Sequence, residues 1–310
     1  MDLYHIPGDE GGSWREQKFL EYAIGAPTVC HPTILAYAQK NHWSQDEVVT
    51  ASFLHCLFYE ELTAIYGVDR FSTDLISACK FWGQNTPHTN PDKRRVITMN
   101  LYPEAIQSWI AITDGSPYDW VSQFSTRKAL RKGIMGVKNI GGFSADLFEN
   151  CIYAAGYNLD TRYPEWKTTP QLAIGMCHIL YKDRKANKIR SSKLVTSKDE
   201  EHLWIHFEKL CNNMERLYPG NPPDKWYTKL CSWANLFQGT RYGGYHHDRQ
   251  LENLHWHEAH FPDGEDIWKQ VYKIRKKLWK HNMLGELHNW DGIRPERKKL
   301  WLREGLTGVE

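Results

Sequence analysis

Apolar residues recur at helical spacing along most of the chain, and no stretch alternates with the period of two that a half-buried strand requires. Ser44 and Glu47 stand three residues apart ahead of the longest such run. This is the signature of a helix start at which side chain and backbone cap each other. Val48, Leu54, Leu57, Leu62 and Ile65 then predict one long helix with a broad apolar face. Further helical segments are predicted over 14–24, 72–82, 103–112, 125–135, 145–155, 169–181, 199–217, 223–237 and 265–283. The stretches 83–95 and 156–164 and the histidine-rich 238–263 lack the period and read as irregular. The fold class is therefore all-α, in two helical lobes. Residues 182–198 hold seven Lys or Arg against the single Asp183 and read as an exposed linker or a DNA-facing loop. They divide a helical domain over 13–181 from a C-terminal helical domain over 199–310.

Composition narrows the picture. Of 310 residues, 41% are hydrophobic and 14 are tryptophan, enough apolar surface to build a core. The net charge is only +2, so an argument for nucleic acid has to come from local clusters rather than the whole chain. Cys30, Cys56, Cys79, Cys151, Cys177, Cys211 and Cys231 are odd in number and form no Cys-x-x-Cys pair, as expected of reduced core cysteines. That spacing also excludes a four-cysteine iron–sulfur loop. There is no leader-like segment and no apolar run near 18 residues, so the expectation is a cytoplasmic protein without a membrane span.

The most informative stretch is Gly136-Val137-Lys138-Asn139-Ile140-Gly141-Gly142-Phe143-Ser144-Ala145, between a basic helical segment and an apolar one. Helix, tight glycine-rich turn and helix over about 125–155 place backbone amides at the start of the second helix, where they can hold a phosphate. Arg131, Lys132 and Lys138 flank the turn, and Asn139, Gly141, Gly142 and Ser144 lie within it. These seven are the expected contacts to a DNA backbone, against the plainer reading of a Gly-capped turn with a solvated basic face.

Downstream, Asp160-Thr161 lies 19 residues beyond Gly141. A loop aspartate is most often a turn or cap residue. Arg241, Tyr242, Tyr245, His246, His247, Asp248 and Arg249 form a second polar group. In it Arg241 and Arg249 suit an anionic substrate or leaving group. His246, His247 and Asp248 suit proton transfer, and Tyr242 and Tyr245 suit stacking on an unpaired base. Trp226, Trp233 and Trp256 are further stacking candidates, with core packing as the default for each. His255-Trp256-His257-Glu258-Ala259-His260 offers metal-type donors, but the spacing is not that of a helical zinc motif, so neither metal nor cofactor is expected.

The hairpin resembles the helix-hairpin-helix of DNA repair glycosylases, with Val137, Lys138, Asn139, Ile140, Gly141 and Ala145 in the motif's places and Asn139 where its first glycine stands. That resemblance implies a two-lobed glycosylase-like fold with Asp160 as the catalytic carboxylate. Bifunctional members carry a Schiff-base lysine two residues after the second glycine. Phe143 occupies that position here, so imine chemistry is not expected. Within the superfamily, Ile140 to Ala145 is similar to the hairpin of the bacteriophage α-glutamyl/putrescinyl thymine pyrophosphorylases, the amino acid:DNA transferases, and of the related hydroxymethyluracil DNA kinases. No P-loop sequence is present, which argues against the kinase.

The resemblance implies DNA base hypermodification. The amine of a free amino acid would displace pyrophosphate from a pyrophosphorylated 5-hydroxymethyluracil in DNA, in an infected host cell. Two alternatives stay open: a monofunctional glycosylase acting on a modified pyrimidine, and a non-catalytic DNA-binding module. The sequence does not indicate an oligomeric state.

Overall fold

The computed structural model describes residues 12–25, 31–85, 101–160, 166–167, 169–180, 182–221, 223, 226–237 and 245–278. Among these there is helix and no strand, as the apolar period predicts. The chain divides into two compact units, each drawn from separated stretches.

One unit comprises 29–162 and 252–278. Its helices are α2 (His31–Lys40), α3 (Gln45–Phe58), α4 (Glu61–Phe71), α5 (Leu75–Gln84), α6 (Tyr102–Thr113), α7 (Pro117–Ser122), α8 (Arg127–Ile134) and α9 (Gly142–Ala154). The later part of α14 (Tyr245–His260) and all of α15 (Glu265–Leu278) complete it. The expected capping box is present: Ser44 N–H donates to Glu47 Oε2 at 2.7 Å, and Glu47 N–H to Ser44 Oγ at 3.2 Å. Helix α3 is central, and every residue from Val49 to Phe58 is buried. Phe53 stacks on Trp109 of α6 with ring centroids 4.4 Å apart.

The single long helix expected from Ser44 onward is instead two. Tyr59 takes a left-handed φ of 51°, and the Glu60 carboxylate caps α4 by accepting from Thr63 N–H at 2.8 Å. One stretch expected to be irregular is largely helical. The histidine-rich segment forms α14, because Leu254, His257 and Phe261 are spaced to bury one face.

The other unit comprises 1–28, 163–251 and 279–310. Its described helices are α1 (Gly12–Gly25), α10 (Pro170–Ile179), α11 (Arg184–Ser192), α12 (Ser197–Leu217), α13 (Lys229–Phe237) and the first turns of α14. The basic stretch expected as a linker or loop is mostly α11, with Asp183 as its N-cap and Ala186 and Ile189 buried beneath the lysines. The expected boundary at 182–198 thus falls inside this unit. Trp166, Trp226 and Trp233 pack with Phe19 and Phe207 in its core. Helices α10 and α13 touch backbone to backbone, since a Cβ at Gly175 would lie 1.9 Å from the Leu230 carbonyl oxygen.

The described cysteines are all free, and Cys30 lies outside the described residues. No described helix is long and apolar enough to cross a membrane.

Candidate functional site

Helices α8 and α9 and the turn between them carry most of the predicted contacts. The turn requires a left-handed residue at 139, and Asn139 supplies it with φ 65°. Asparagine is among the few side-chain-bearing residues that adopt this conformation at small cost. Its Nδ2 donates to Glu104 Oε2 at 3.0 Å, and Lys138 Nζ donates to Glu104 Oε1 at 2.9 Å. Lys138 N–H donates to Ser108 Oγ at 3.1 Å. Two side chains of α6 therefore hold the turn, and the bonds from Asn139 and Lys138 keep the Glu104 carboxyl below its ordinary range.

Gly141 is the N-cap of α9 and offers its first turn no side-chain cap. The opening amides of a helix have no acceptor within the helix and carry its positive dipole end. Gly141 is exposed, and a Cβ added there would meet nothing within 4 Å. A phosphate can therefore approach the backbone closely at this point. Lys132 and Lys128 are exposed on α8, whereas Ser144 is buried in α9.

Arg131 serves the hairpin rather than its surroundings. Its Nε donates to Asp146 Oδ1 at 2.5 Å and its guanidinium reaches the Gly142 carbonyl at 3.5 Å. The corresponding pair deeper in is Arg127 with Glu149, both buried. Arg127 also donates to Asn150 Oδ1 at 2.6 Å and lies 4.5 Å from the Tyr153 ring centroid. Burial pushes the Glu149 carboxyl up to about 7 against the pull of Arg127. These arginine–carboxylate pairs fasten α8 to α9.

Asp160 is exposed and sits at the start of α8. Its Oδ1 accepts from Arg127 N–H at 3.1 Å, and its own N–H donates to the Ser125 carbonyl at 3.3 Å. The carboxylate thus lies beside the first turn of the hairpin, where it reinforces the Thr126 cap of α8. Thr161 lies outside the described residues. Phe143 packs edge-on against the Tyr59 ring, with centroids 5.1 Å apart.

The second predicted group belongs to the other unit. Arg241 and Tyr242 lie outside the described residues, and Tyr245, His246, His247, Asp248 and Arg249 are described only as backbone, in the opening turns of α14. Further along α14 the histidines diverge. His257 is fully buried, 3.2 Å from Thr63 Oγ1, while exposed His260 stacks on Trp256 at 4.1 Å. Trp226 and Trp233, considered as stacking platforms, are each 1% exposed and belong to a core. Burial in an aromatic cluster leaves no face for a base.

One group escaped the sequence reading. Asp183, His202 and His206 bring their ligand atoms within 4.8 Å of one another. The signal was a His-x-x-x-His pair on an amphipathic helix, which puts both rings on one face. Compared with protein-family models, curated proteins and solved structures, the chain has no significant match in any of the three.

Proposed function

We propose that the chain binds DNA through the α8–α9 hairpin, in a two-lobed glycosylase-like fold, and modifies a base there. The observation that carries the DNA reading is the exposed, side-chain-free start of α9 at Gly141, set by a left-handed Asn139 and flanked by exposed Lys132. Amides and lysines of this kind hold phosphates without reading sequence, so binding should weaken steeply with salt.

The proposed reaction is amino acid transfer to pyrophosphorylated 5-hydroxymethyluracil. The target base leaves the stack so that its C5 substituent can meet the second substrate. The neutral amine of the amino acid attacks the C5 methylene. A C–N bond forms, the C–O bond to pyrophosphate breaks, and pyrophosphate departs with the electron pair. Asp160, beside the hairpin, is the proposed acceptor of the amine proton, with His246, His247 and Asp248 as the other proton-transfer groups. Arg241 and Arg249 are assigned to the departing pyrophosphate. Tyr242 and Tyr245 are assigned to the extruded base. Phe143 against Tyr59 supports a reaction without an enzyme-linked sugar.

A non-catalytic DNA-binding module is the second reading, and the bond from Arg127 N–H to Asp160 favours it, because it gives the carboxylate a purely structural task. Asp160→Asn separates the two: the amide oxygen still accepts from Arg127, but the charge and the basicity are gone. Given DNA bearing the pyrophosphorylated base and mixed amino acids, the wild type should release pyrophosphate and leave a heavier nucleoside. Asp160→Asn should bind the DNA as well but lose turnover by about 100-fold or more. Release of free base with abasic sites would point to a glycosylase. DNA binding with no product in the wild type would leave only the binding module.

A further inference from the structure

We propose that Asp183, His202 and His206 form a binding site for one late first-row divalent metal ion, with Zn2+ the best chemical fit. Two elements of one unit build it. Asp183 is the N-cap of α11, and its Oδ1 accepts from Ala186 N–H at 2.8 Å, which fixes the carboxylate. His202 and His206 stand one turn apart on α12 and so face the same way.

The spacing suits a metal. With bonds of about 2.0–2.2 Å to nitrogen and oxygen, neighbouring donors of a tetrahedral zinc ion stand roughly 3.3 Å apart. His202 Nε2 and Asp183 Oδ1 are 3.1 Å apart, and all three ligand atoms fall within 4.8 Å of one another. The His206 ring lies 4.7 Å from the His202 ring at 74°. All three residues are half-buried, close enough to solvent for an ion to enter.

A helix cap bridged by one histidine would explain Asp183 and His202 alone. It gives no reason for a second imidazole on the same face. Lys209 opposes a bound cation and Glu16 favours it. Imidazole nitrogen with one carboxylate and no thiolate suits zinc over the soft cuprous ion and over the all-oxygen calcium and magnesium sites. Three protein ligands leave at least one position for water. The ion would tie the start of α11 to α12 and stabilise this unit by binding the folded state.

The test titrates the chelator-stripped chain with Zn2+ against a competing indicator, and with Co2+ by visible absorption. The expected result is one equivalent of Zn2+ per chain and the intense visible bands of four- or five-coordinate Co2+. His202→Ala and His206→Ala should each weaken Zn2+ binding at least about tenfold. Asp183→Asn should weaken it while keeping the cap. His255→Ala, outside the cluster, should bind as the wild type does. Equal binding by the wild type and a His202→Ala, His206→Ala double variant would overturn the site. So would the faint octahedral Co2+ spectrum in the wild type, a result that needs no variant to fold.

Discussion

Gly141 and Asn139 show how much a single position decides in the hairpin. Gly141 has φ −92° and ψ 173°, values open to any residue, so its glycine is not required by the backbone. What glycine provides there is clearance, because nothing lies within 4 Å of where a Cβ would stand. Gly141→Ala should therefore destabilise the fold by less than about 1 kcal/mol, an N-cap effect. Under the proposed function it should weaken DNA binding about tenfold, the scale of one charge-assisted hydrogen bond. Thermal melting and a salt-resolved binding titration read both quantities, and unchanged affinity would remove Gly141 from the interface. Asn139 is the opposite case: its φ of 65° does constrain the residue type. A left-handed turn residue at Asn139 was legible in the sequence for that reason. The Glu104 bonds that hold it were not, because their partners lie 34 and 35 residues away on α6.

Helices show the same division between local and tertiary information. The Ser44 and Thr196 caps are local exchanges of hydrogen bonds across three residues, and they mark true helix starts. Tyr59 and Glu60 break a continuous apolar run without any glycine or proline, so the division of α3 from α4 left no local signature. Helix α14 was hidden because histidine fills a core position, His257, in its apolar stripe. The metal-type cluster was half legible: His202 and His206 share a helix, but Asp183 arrives from another. The bond from Arg131 to Asp146 was not legible, because its acceptor lies 15 residues on, in α9. Close helix packing gives a sharper expectation at Gly175. A methyl there would overlap the Leu230 carbonyl, which is backbone and cannot rotate away. Gly175→Ala should force α10 and α13 apart and cost more than about 3 kcal/mol, the upper range for overpacking. A denaturant titration checks this, and a loss under 1 kcal/mol would contradict the contact.

For the molecule as a whole, acid sensitivity is built into both units. Burial lowers His55 to about 4, with Glu60 opposing, and burial together with Arg190 and Arg15 lowers His178 to about 3. Both rings stay neutral in the folded chain while the unfolded chain takes up protons below about pH 6.5. Stability is then fully present above that pH and falls as pH drops toward 4. The loss is up to roughly 3 kcal/mol for His55, before carboxylates add their own effect. His55→Leu should flatten the urea midpoint between pH 7 and 5, and an unchanged slope would remove His55 as a cause.

The unit that holds the hairpin is also stitched from two stretches far apart in the sequence. Glu61 at the start of α4 forms a buried ion pair with Arg275 of α15, and Asn253 donates to the neighbouring Glu60 at 3.1 Å. These partners are 214 and 193 residues apart. The arginine–carboxylate pairs of the hairpin span only 15 and 22 residues. Chain-closure entropy grows with that separation, so the hairpin can form early while α4 waits. On the ribosome, Glu61 emerges long before Arg275 and must remain hydrated until α15 has been synthesised. Residues 29–162 therefore complete their fold only after the intervening stretch of the other unit has been made.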